Sequence, residues 1–402
     1  PRINSAAKEE MDISDQFREN LRKILESYFL KNFQHYFSGT FDSIESVTSI
    51  YTTEKLRIVL SFKSTEIEIG TEENSFKIIK IGLKKTIRSK CISQNRNYKE
   101  TSNEILIYNN IKDNDYFGRA FSTTVISFYL SIIEEILTKI RSIHYLPASR
   151  SGLYQALTAF GQIVAQLSRS RSFVTEKIEL PAISVPLSDY FLELSEIKIL
   201  RQNYESSPIN KVAENIETNI LKGKVEFNPK NKKLFYVPEG SNLRLDISST
   251  SSMVSEISPI VSFIRHILTK PIQRRRGIRT YRSSLTESQT AKALVFIEEP
   301  EAHLHPANQI KLLKAFAELL NCNVKIMITS HSNYIFNKLN NLILEKTIDV
   351  SVVEATIMKQ SNKGSKGTHL PKDDLGIDDE NFLDVAEQLY DEKINLIEKL
   401  NL

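Results

Sequence analysis

The sequence contains only two cysteines in 402 residues, Cys91 and Cys322. Two thiols that lie so far apart exclude a disulfide framework, and by themselves they cannot form a cysteine metal site. Such sparing use of cysteine is typical of a reducing compartment, so we expect a cytoplasmic protein. The sequence also lacks an apolar run of 18 residues, because the run from Phe121 to Ile133 is followed directly by two glutamates. It predicts a buried helix, and we expect no membrane partner.

Glycine and net charge are low as well. The 12 glycines amount to about 3% of the chain against a usual ~7%, so a glycine-rich phosphate loop has few places to occur. The 53 basic residues nearly balance the 49 acidic ones and leave a net charge of +4. That charge is too small to indicate a nucleic-acid partner for the whole chain. The length and the 41% of hydrophobic residues indicate two or three globular domains.

Hydrophobic periodicity predicts an α/β fold in three parts, of which residues 1–143 are the first. This part begins with an amphipathic helix over residues 16–36. Short alternating segments between Ile44 and Ile81 predict antiparallel strands, and Glu104 to Tyr108 predicts another strand. A long apolar helix is predicted from Thr123 to Ile143.

The second part, residues 144–222, is predicted to be a strand followed by a helical arm or insertion. The third part, residues 223–402, opens with a predicted hairpin over 223–247 and a helix over 252–269. Its remaining predicted elements are a buried strand from Ala293 to Ile297, a helix from Pro306 to Leu320, a second buried strand from Val324 to Thr329, a strand near Ser351 to Ile357, a loose connection, and a terminal helix from Asn381 to Leu400.

Two adjacent glutamates, Glu298 and Glu299, follow directly after the first of these buried strands. Open α/β sheets bind their ligands at the carboxyl ends of parallel strands. Because neighbouring strand residues point to opposite sides, one carboxylate can face a cation while the other faces an attacking water. Nucleotide hydrolysis needs these two groups, one for Mg²⁺ and one for the lytic water. Such a pair alone is more often a solvated acidic turn.

The next strand favours the catalytic interpretation, because it ends at Ser330-His331-Ser332. A histidine there lies beside the end of the first strand and can donate a hydrogen bond to a phosphate oxygen. Together, the run from Glu298 to Pro306 and this histidine resemble the Walker B, D-loop and switch-histidine segments of ABC-type ATPases. The nearest subgroup is the OLD/RecF-like branch, which includes the Septu-type ATPases of bacterial anti-phage systems.

This resemblance implies a P-loop NTPase head like that of ABC ATPases, with a β-rich subdomain and a helical insertion. It implies Mg²⁺ binding for Glu298, the general-base role for Glu299 and γ-phosphate sensing for His331. Residues Glu301 to His305 would form the D-loop at a dimer interface, with His305 close to the nucleotide. Most ABC proteins have aspartate where this chain has Glu298, and the glutamate form is usual in the OLD/RecF-like branch.

Two further segments resemble the same branch. The segment that contains Ser251, Ser252 and Met253 is similar to the signature segment of this branch. In it Ser251 or Ser252 would cap a helix, and Met253 stands where glycine is expected. Helix N-termini offer N–H groups and partial positive charge to a phosphate. In ABC dimers this segment contacts the γ-phosphate bound by the other subunit. The other segment contains Arg150, which could reach a phosphate or a partner, or form a structural salt bridge.

One element that the resemblance requires is missing from the sequence. Such an ATPase needs a GxxxxGK(S/T) loop, whose backbone N–H groups and lysine hold the phosphates of ATP. None of the 12 glycines has that spacing, and the superficially similar stretch Gly364 to Thr368 follows the switch histidine. We expect the loop to precede Pro1, and the chain alone to bind nucleotide weakly and to be inactive. A degenerate site is the alternative.

A basic connection over residues 270–292 precedes the glutamate pair. Such a run could bind DNA or RNA phosphates in a salt-dependent way, and it is equally typical of a solvated loop. The candidate contacts are Arg274, Arg275, Arg276 and Arg279. An acidic stretch near residues 373–380 is interpreted as a helix-capping linker rather than as a nuclease centre.

Together these patterns predict a Mg²⁺-dependent ATPase head that forms a homodimer or higher oligomer around ATP. Binding or hydrolysis would gate a separate effector protein, such as a nuclease, or a contact with DNA or RNA. The resemblance implies a role in anti-phage defence. The alternative is a catalytically inactive, ATPase-derived scaffold that binds DNA or a protein partner. A self-contained nuclease is the third alternative, and we expect no metal-dependent DNA cleavage by the chain alone.

Overall fold

The structure is a computed structural model of the chain, in which two compact units are distinguished. The first comprises Pro1–Lys139 with Ile183–Val185, and the second comprises Ile140–Ala182 with Pro186–Leu402. The predicted boundary between residues 222 and 223 lies within the second unit and stays a prediction. The residues that the structure describes are 10–92, 98–110, 116–140, 142–156, 183–197, 207–269, 293–362, 364–378 and 383–399.

Two sheets and their flanking helices make up the described part of the first unit. Strands β2, β3 and β4 form one antiparallel sheet, which confirms the predicted antiparallel strands. The other sheet has the order β1-β5-β7-β6, with β5 and β7 parallel. The elements are β1 (Met11–Asp12), α1 (Ser14–Ile24), α2 (Lys31–Phe41), β2 (Arg57–Ser61), β3 (Thr65–Glu72), β4 (Ser75–Leu83), β5 (Thr86–Ile92), β6 (Tyr98–Glu100), β7 (Glu104–Asn110) and α3 (Tyr116–Lys139).

The core of the first unit includes the contact between α1 and α3. Helical spacing places Phe17 and Leu21 on one buried face of α1. The Phe17 ring packs edge-on against the rings of Phe121 and Phe128, at centroid distances of 6.0 and 5.4 Å. Edge-to-face packing of this kind is favoured by the ring quadrupoles.

Two predicted helix boundaries need correction. The first predicted helix extends to Phe41 and is interrupted by a π-helical turn at Leu25–Leu30. The long helix α3 begins at Tyr116 and ends at Lys139. Ile143 belongs to the following strand instead. An apolar, β-branched residue between two apolar segments fits either pattern, so periodicity alone cannot assign it.

Helix α3 is the one described helix that is long and apolar enough to cross a membrane, judged by length and composition over Phe117–Lys139. The core helix of a soluble protein meets the same criterion. In this structure Ala120, Val125 and Ile132 are buried in the core of the first unit. The predicted buried helix therefore has one face in that core.

The second unit contains a parallel sheet with the order β13-β12-β8 and an antiparallel sheet with the order β11-β10-β9. Its elements are β8 (Ile143–Leu146), α4 (Val185–Ser195), α5 (Pro208–Ile216), β9 (Gly223–Asn228), β10 (Lys233–Pro238), β11 (Leu245–Asp246), α6 (Ser252–Phe263), β12 (Ala293–Glu298), α7 (Pro306–Leu320), β13 (Val324–Thr329), α8 (Asn333–Leu344), β14 (Thr356–Ser361), β15 (Gly364–His369), β16 (Lys372–Asp373), β17 (Gly376–Ile377) and α9 (Leu383–Lys399).

The predicted strand–helix–strand unit is confirmed as β12, α7 and β13, with the two strands parallel. Val295 and Ile297 of β12 are buried, as are Leu312 and Phe316 of α7. The prediction that β13 is a buried strand needs correction, because its alternate residues are exposed, including Met327 at 55%. Within the described residues β13 is the edge of its sheet, and one of its two faces is exposed.

A hairpin near the end of the chain was not foreseen. β14 and β15 pair antiparallel, whereas the sequence predicts a strand at 351–357 followed by a loose connection. Both strands are largely exposed. Exposed polar strands lack the apolar alternation on which sequence prediction depends, which explains the error. The described extent of α9 agrees with the predicted terminal helix.

Candidate functional site

Three parallel strands of the second unit end side by side. β12 lies between its two neighbours, with Ile297 paired to Leu146 of β8 and Glu298 paired to Thr329 of β13. Because the strands are parallel, the residues after each of them lie at the same edge of the sheet. The structure therefore brings together the predicted glutamate pair and the predicted switch histidine, His331.

The carboxylate of Glu298 faces the segment that follows β8. Its Oε2 accepts a hydrogen bond from the backbone N–H of Ala148 at 3.4 Å. Tyr145 is a neighbour of Glu298 that the sequence did not predict. Burial raises the pKa of Tyr145 to about 12, and its interaction with the Glu298 carboxylate adds to the rise.

Glu299 leaves the strand with a φ of +39°, in the left-handed region. Non-glycine residues adopt that region rarely, and such strain is concentrated at functional sites. The backbone N–H of Glu299 donates to the carbonyl oxygen of Thr329 at 2.9 Å. Its Oε1 lies 4.0 Å from Nε2 of His331, and the two side chains are 46% and 90% exposed. Carboxylate and imidazole thus meet at an edge that solvent reaches.

The side chain of Glu301 turns inward and holds the end of β13. Its Oε1 accepts hydrogen bonds from the hydroxyl of Ser330 and from the backbone N–H of His331, both at 2.7 Å. Glu301 is only 9% exposed, and its Oε2 is buried with no hydrogen-bond partner among the described residues. Sequence reasoning did not predict this supporting role, because it placed Glu301 in the D-loop at a dimer interface.

We expect Glu301→Ala to lower the free energy of unfolding by about 1–3 kcal/mol, because it leaves the hydroxyl of Ser330 and the backbone N–H of His331 without their acceptor. Chemical denaturation measures this loss. Glu301→Gln is the matched variant, since its amide oxygen can still accept from both donors, and its effect should be smaller. Equal losses for the two variants would show that the carboxylate charge matters rather than the acceptor.

His305 and the predicted signature residues lie at helix starts. His305 is the N-cap of α7, and its Nδ1 accepts from the N–H of Ala307 at 3.3 Å. Ser251 is the N-cap of α6, with its Oγ accepting from the N–H of Val254 at 3.5 Å. Ser252 is the first residue of that helix.

Met253 connects the two helix starts. Its Sδ lies 3.1 Å from the Nδ2 of Asn308, which belongs to the first turn of α7. The start of α6 and the first turn of α7 are therefore in contact within one chain. A thioether is a weak acceptor, so this contact adds little directional energy.

The sequence leaves two roles open for Arg150, and the structure buries this side chain completely. Its Nε lies 3.6 Å from the Oε2 of Glu256, which is also buried, so the structure contains the salt bridge. Burial lowers the pKa of the Arg150 guanidinium, and the charge of Glu256 opposes that fall. The sequence did not single out Glu256.

Two other predicted features can be placed. The candidate nucleic-acid contacts Arg274, Arg275, Arg276 and Arg279 lie outside the described residues. The stretch Gly364 to Thr368, which superficially resembles a phosphate loop, forms strand β15 of the exposed hairpin. An extended strand does not present converging backbone N–H groups, which agrees with its rejection as a phosphate loop.

The carboxylates at this edge of the sheet are better suited to Mg²⁺ than to a metal that protein side chains hold alone. Within the described ranges no group of three or more histidine, cysteine, aspartate or glutamate side chains could hold a metal ion. Mg²⁺ in nucleotide sites is bound by one or two carboxylates together with phosphates and water. Glu298, half-buried at the end of β12, supplies a carboxylate of that kind.

The profile of the AAA ATPase domain family matches residues 3–336. The chain belongs to the AAA ATPase domain family. Together with the mixed α/β architecture, this membership confirms the predicted fold class, a P-loop fold like that of ABC ATPases. It also confirms the coarser functional prediction of an ATPase, and with it ATP binding.

A solved structure from work on ATP-driven dimerization and DNA-stimulated activation of SMC ATPases is 12% identical in sequence, with 46% of this chain and 91% of that chain covered and a TM-score of 0.28. No curated protein matches this AAA ATPase domain.

Proposed function

We propose that this AAA ATPase domain is the hydrolytic head of a Mg²⁺-dependent ATPase. The observation that supports it most strongly is the meeting of Glu298, Glu299 and His331 at the ends of two adjacent parallel strands. Carboxylates for a cation and for a water, beside a donor for a phosphate, are the groups that phosphoryl transfer to water needs.

Each of the three side chains has a separate task in this proposal. Glu298 holds the cation, and Mg²⁺ when bound neutralises charge on the phosphate oxygens. Glu299 orients the attacking water and accepts its proton, for which its partly exposed carboxylate is suited. His331 donates to a γ-phosphate oxygen, and Glu301 fixes the backbone from which the imidazole extends.

We further propose that two copies join head to head, and that each ATP site is completed by the partner. The start of α6, with Ser251, Ser252 and Met253, would then contact the phosphates held by the other copy, and His305 would lie near them. The support is the contact between Met253 and Asn308, which shows that these two helix starts lie side by side. The N–H groups at the start of a helix bind phosphate well.

The finer assignments rest on the sequence resemblance. They are the OLD/RecF-like, Septu-type branch, a cytoplasmic location, a role in anti-phage defence, and a separate effector that the ATPase gates, such as a nuclease. DNA or RNA is the other proposed partner, through Arg274, Arg275, Arg276 and Arg279.

The alternative is a scaffold without hydrolytic activity, and one observation favours it. The sequence contains no GxxxxGK(S/T) pattern, so the chain itself provides no phosphate loop of that kind. A scaffold would bind DNA independently of ATP, with an affinity that falls steeply with salt.

The test uses the full-length product of the natural gene. We expect it to hydrolyse ATP with Mg²⁺ and to stop when EDTA removes the metal. The absence of hydrolysis, together with DNA binding that is unaffected by ATP and weakened by replacing Arg274–Arg276, would support the scaffold instead.

A further inference from the structure

Arg150 holds the backbone of the two site glutamates. Its Nη1 donates to the carbonyl oxygens of Glu298 at 2.7 Å and Pro147 at 2.9 Å. Its Nη2 donates to the carbonyl oxygen of Glu299 at 3.3 Å. One guanidinium therefore joins the end of β8 to the end of β12. Because its fork is planar and rigid, it fixes these carbonyls in relation to each other.

Glu256 in turn connects Arg150 to helix α6. Its Oε2 is 3.6 Å from the Arg150 Nε, and its Oε1 accepts a hydrogen bond from the hydroxyl of Ser151. Glu256 lies on α6, one turn after Ser252 and Met253. A continuous series of contacts thus runs from the start of α6 through Glu256 and Arg150 to the glutamate pair.

Some buried polar atoms of the Glu256–Arg150 pair and its surroundings lack hydrogen-bond partners among the described residues, which is unusual for a purely structural ion pair. Arg150 Nε, Glu256 Oε2 and the hydroxyl of Tyr190 are buried without hydrogen-bond partners among the residues that the structure describes. Such groups are costly in a protein interior, and a half-satisfied network is less stable than a fully bonded or apolar one. Buried polar groups without partners call for a physical explanation, such as stored strain or a functional role.

We propose that the Glu256–Arg150 pair couples the start of α6 to the position of Glu298 and Glu299. The consequence of this coupling rests on the proposed function. A phosphate held by the partner copy would contact α6 and thereby adjust the glutamate pair of the chain to which that α6 belongs. Arg150 and Glu256 are positioning residues here, since they act through the backbone of β12.

The first experiment needs neither nucleotide nor a dimer. Glu256→Gln keeps the size of the side chain and removes its charge, so Arg150 loses its partner. In the full-length protein without ATP, we expect amide hydrogen exchange in residues 296–304 to be about tenfold faster than in the wild type. Glu226→Gln is the matched control, because Glu226 forms an exposed ion pair with Arg244 at 2.9 Å and should change nothing there.

The second experiment separates positioning from loss of folding. Mixed dimers are prepared in which one copy carries Glu299→Gln and cannot hydrolyse ATP. Glu256→Gln is placed either in that copy or in the active one, so that both dimers contain the same substitutions. We expect kcat to fall about 10- to 100-fold only when Glu256→Gln is in the active copy, with KM unchanged.

The outcomes distinguish the two proposals. Unchanged hydrogen exchange in Glu256→Gln overturns the coupling even if the wild type is an active ATPase. Equal kcat values for the two mixed dimers overturn it as well. If the wild type hydrolyses no ATP, the proposed function fails, while the exchange experiment still decides whether the pair positions the glutamates. Should Glu256→Gln not fold, Ser151→Ala removes only the Ser151 contact to Glu256 and should give a smaller effect in the same direction.

Discussion

Glu299→Gln is expected to reduce kcat for ATP hydrolysis in the full-length protein by about 10²–10⁴-fold, the usual contribution of a general base. Glutamine has the same shape and can still orient a water molecule, but it cannot accept the proton. The charge of Glu299 is also lost beside His331, 4.0 Å away. The affinity for ATP should therefore be retained or increased while kcat falls.

The measurement is steady-state hydrolysis together with equilibrium binding of ATP. Glu226→Gln makes the same chemical change in an exposed ion pair of the second unit and should leave kcat unaltered. Activity of Glu299→Gln within about threefold of the wild type, far below what loss of a general base produces, would exclude Glu299 as the base. Loss of ATP binding in the same variant would indicate disturbed folding at the strained backbone of residue 299 instead.

The part of the site that sequence could predict is the part built from local signals. The start of α7 follows from Pro306 at its first position and from His305 as its cap. β12 and β13 are apolar segments that each end in polar residues, and the connection between parallel strands places their ends together. Strand order and residue type are therefore sufficient to locate Glu298, Glu299 and His331 at one edge of the sheet.

The supporting contacts could not be predicted, because they join residues that are distant in sequence. Glu301 and Ser330 are 29 residues apart, and Ser151 and Glu256 are 105 apart. Nothing in a single sequence says which of many glutamates faces which arginine. The exposure of β13 could not be predicted for a related reason, since an apolar run does not reveal whether other elements cover both faces of the strand.

Arg150→Met is expected to lower the free energy of unfolding by about 3–5 kcal/mol, the largest effect on stability that we anticipate. The substitution leaves Glu256 as a buried charge without its partner and removes the donors to three carbonyl oxygens. Chemical denaturation of the full chain measures it. Arg244→Met is the control, because its pair with Glu226 is exposed on both sides and should contribute less than about 1 kcal/mol.

The double variant Arg150→Met with Glu256→Gln decides what that loss means. If most of it comes from the stranded charge of Glu256, neutralising that charge should recover about 1–3 kcal/mol relative to Arg150→Met alone. The glutamate pair would nevertheless remain unsupported, because methionine cannot hold the carbonyl oxygens of Glu298 and Glu299. A double variant that regains stability but not ATP hydrolysis would therefore show that the pair positions the site independently of its effect on the free energy of unfolding. A double variant as unstable as Arg150→Met would show that the lost carbonyl contacts, rather than the unpaired charge, account for the destabilisation.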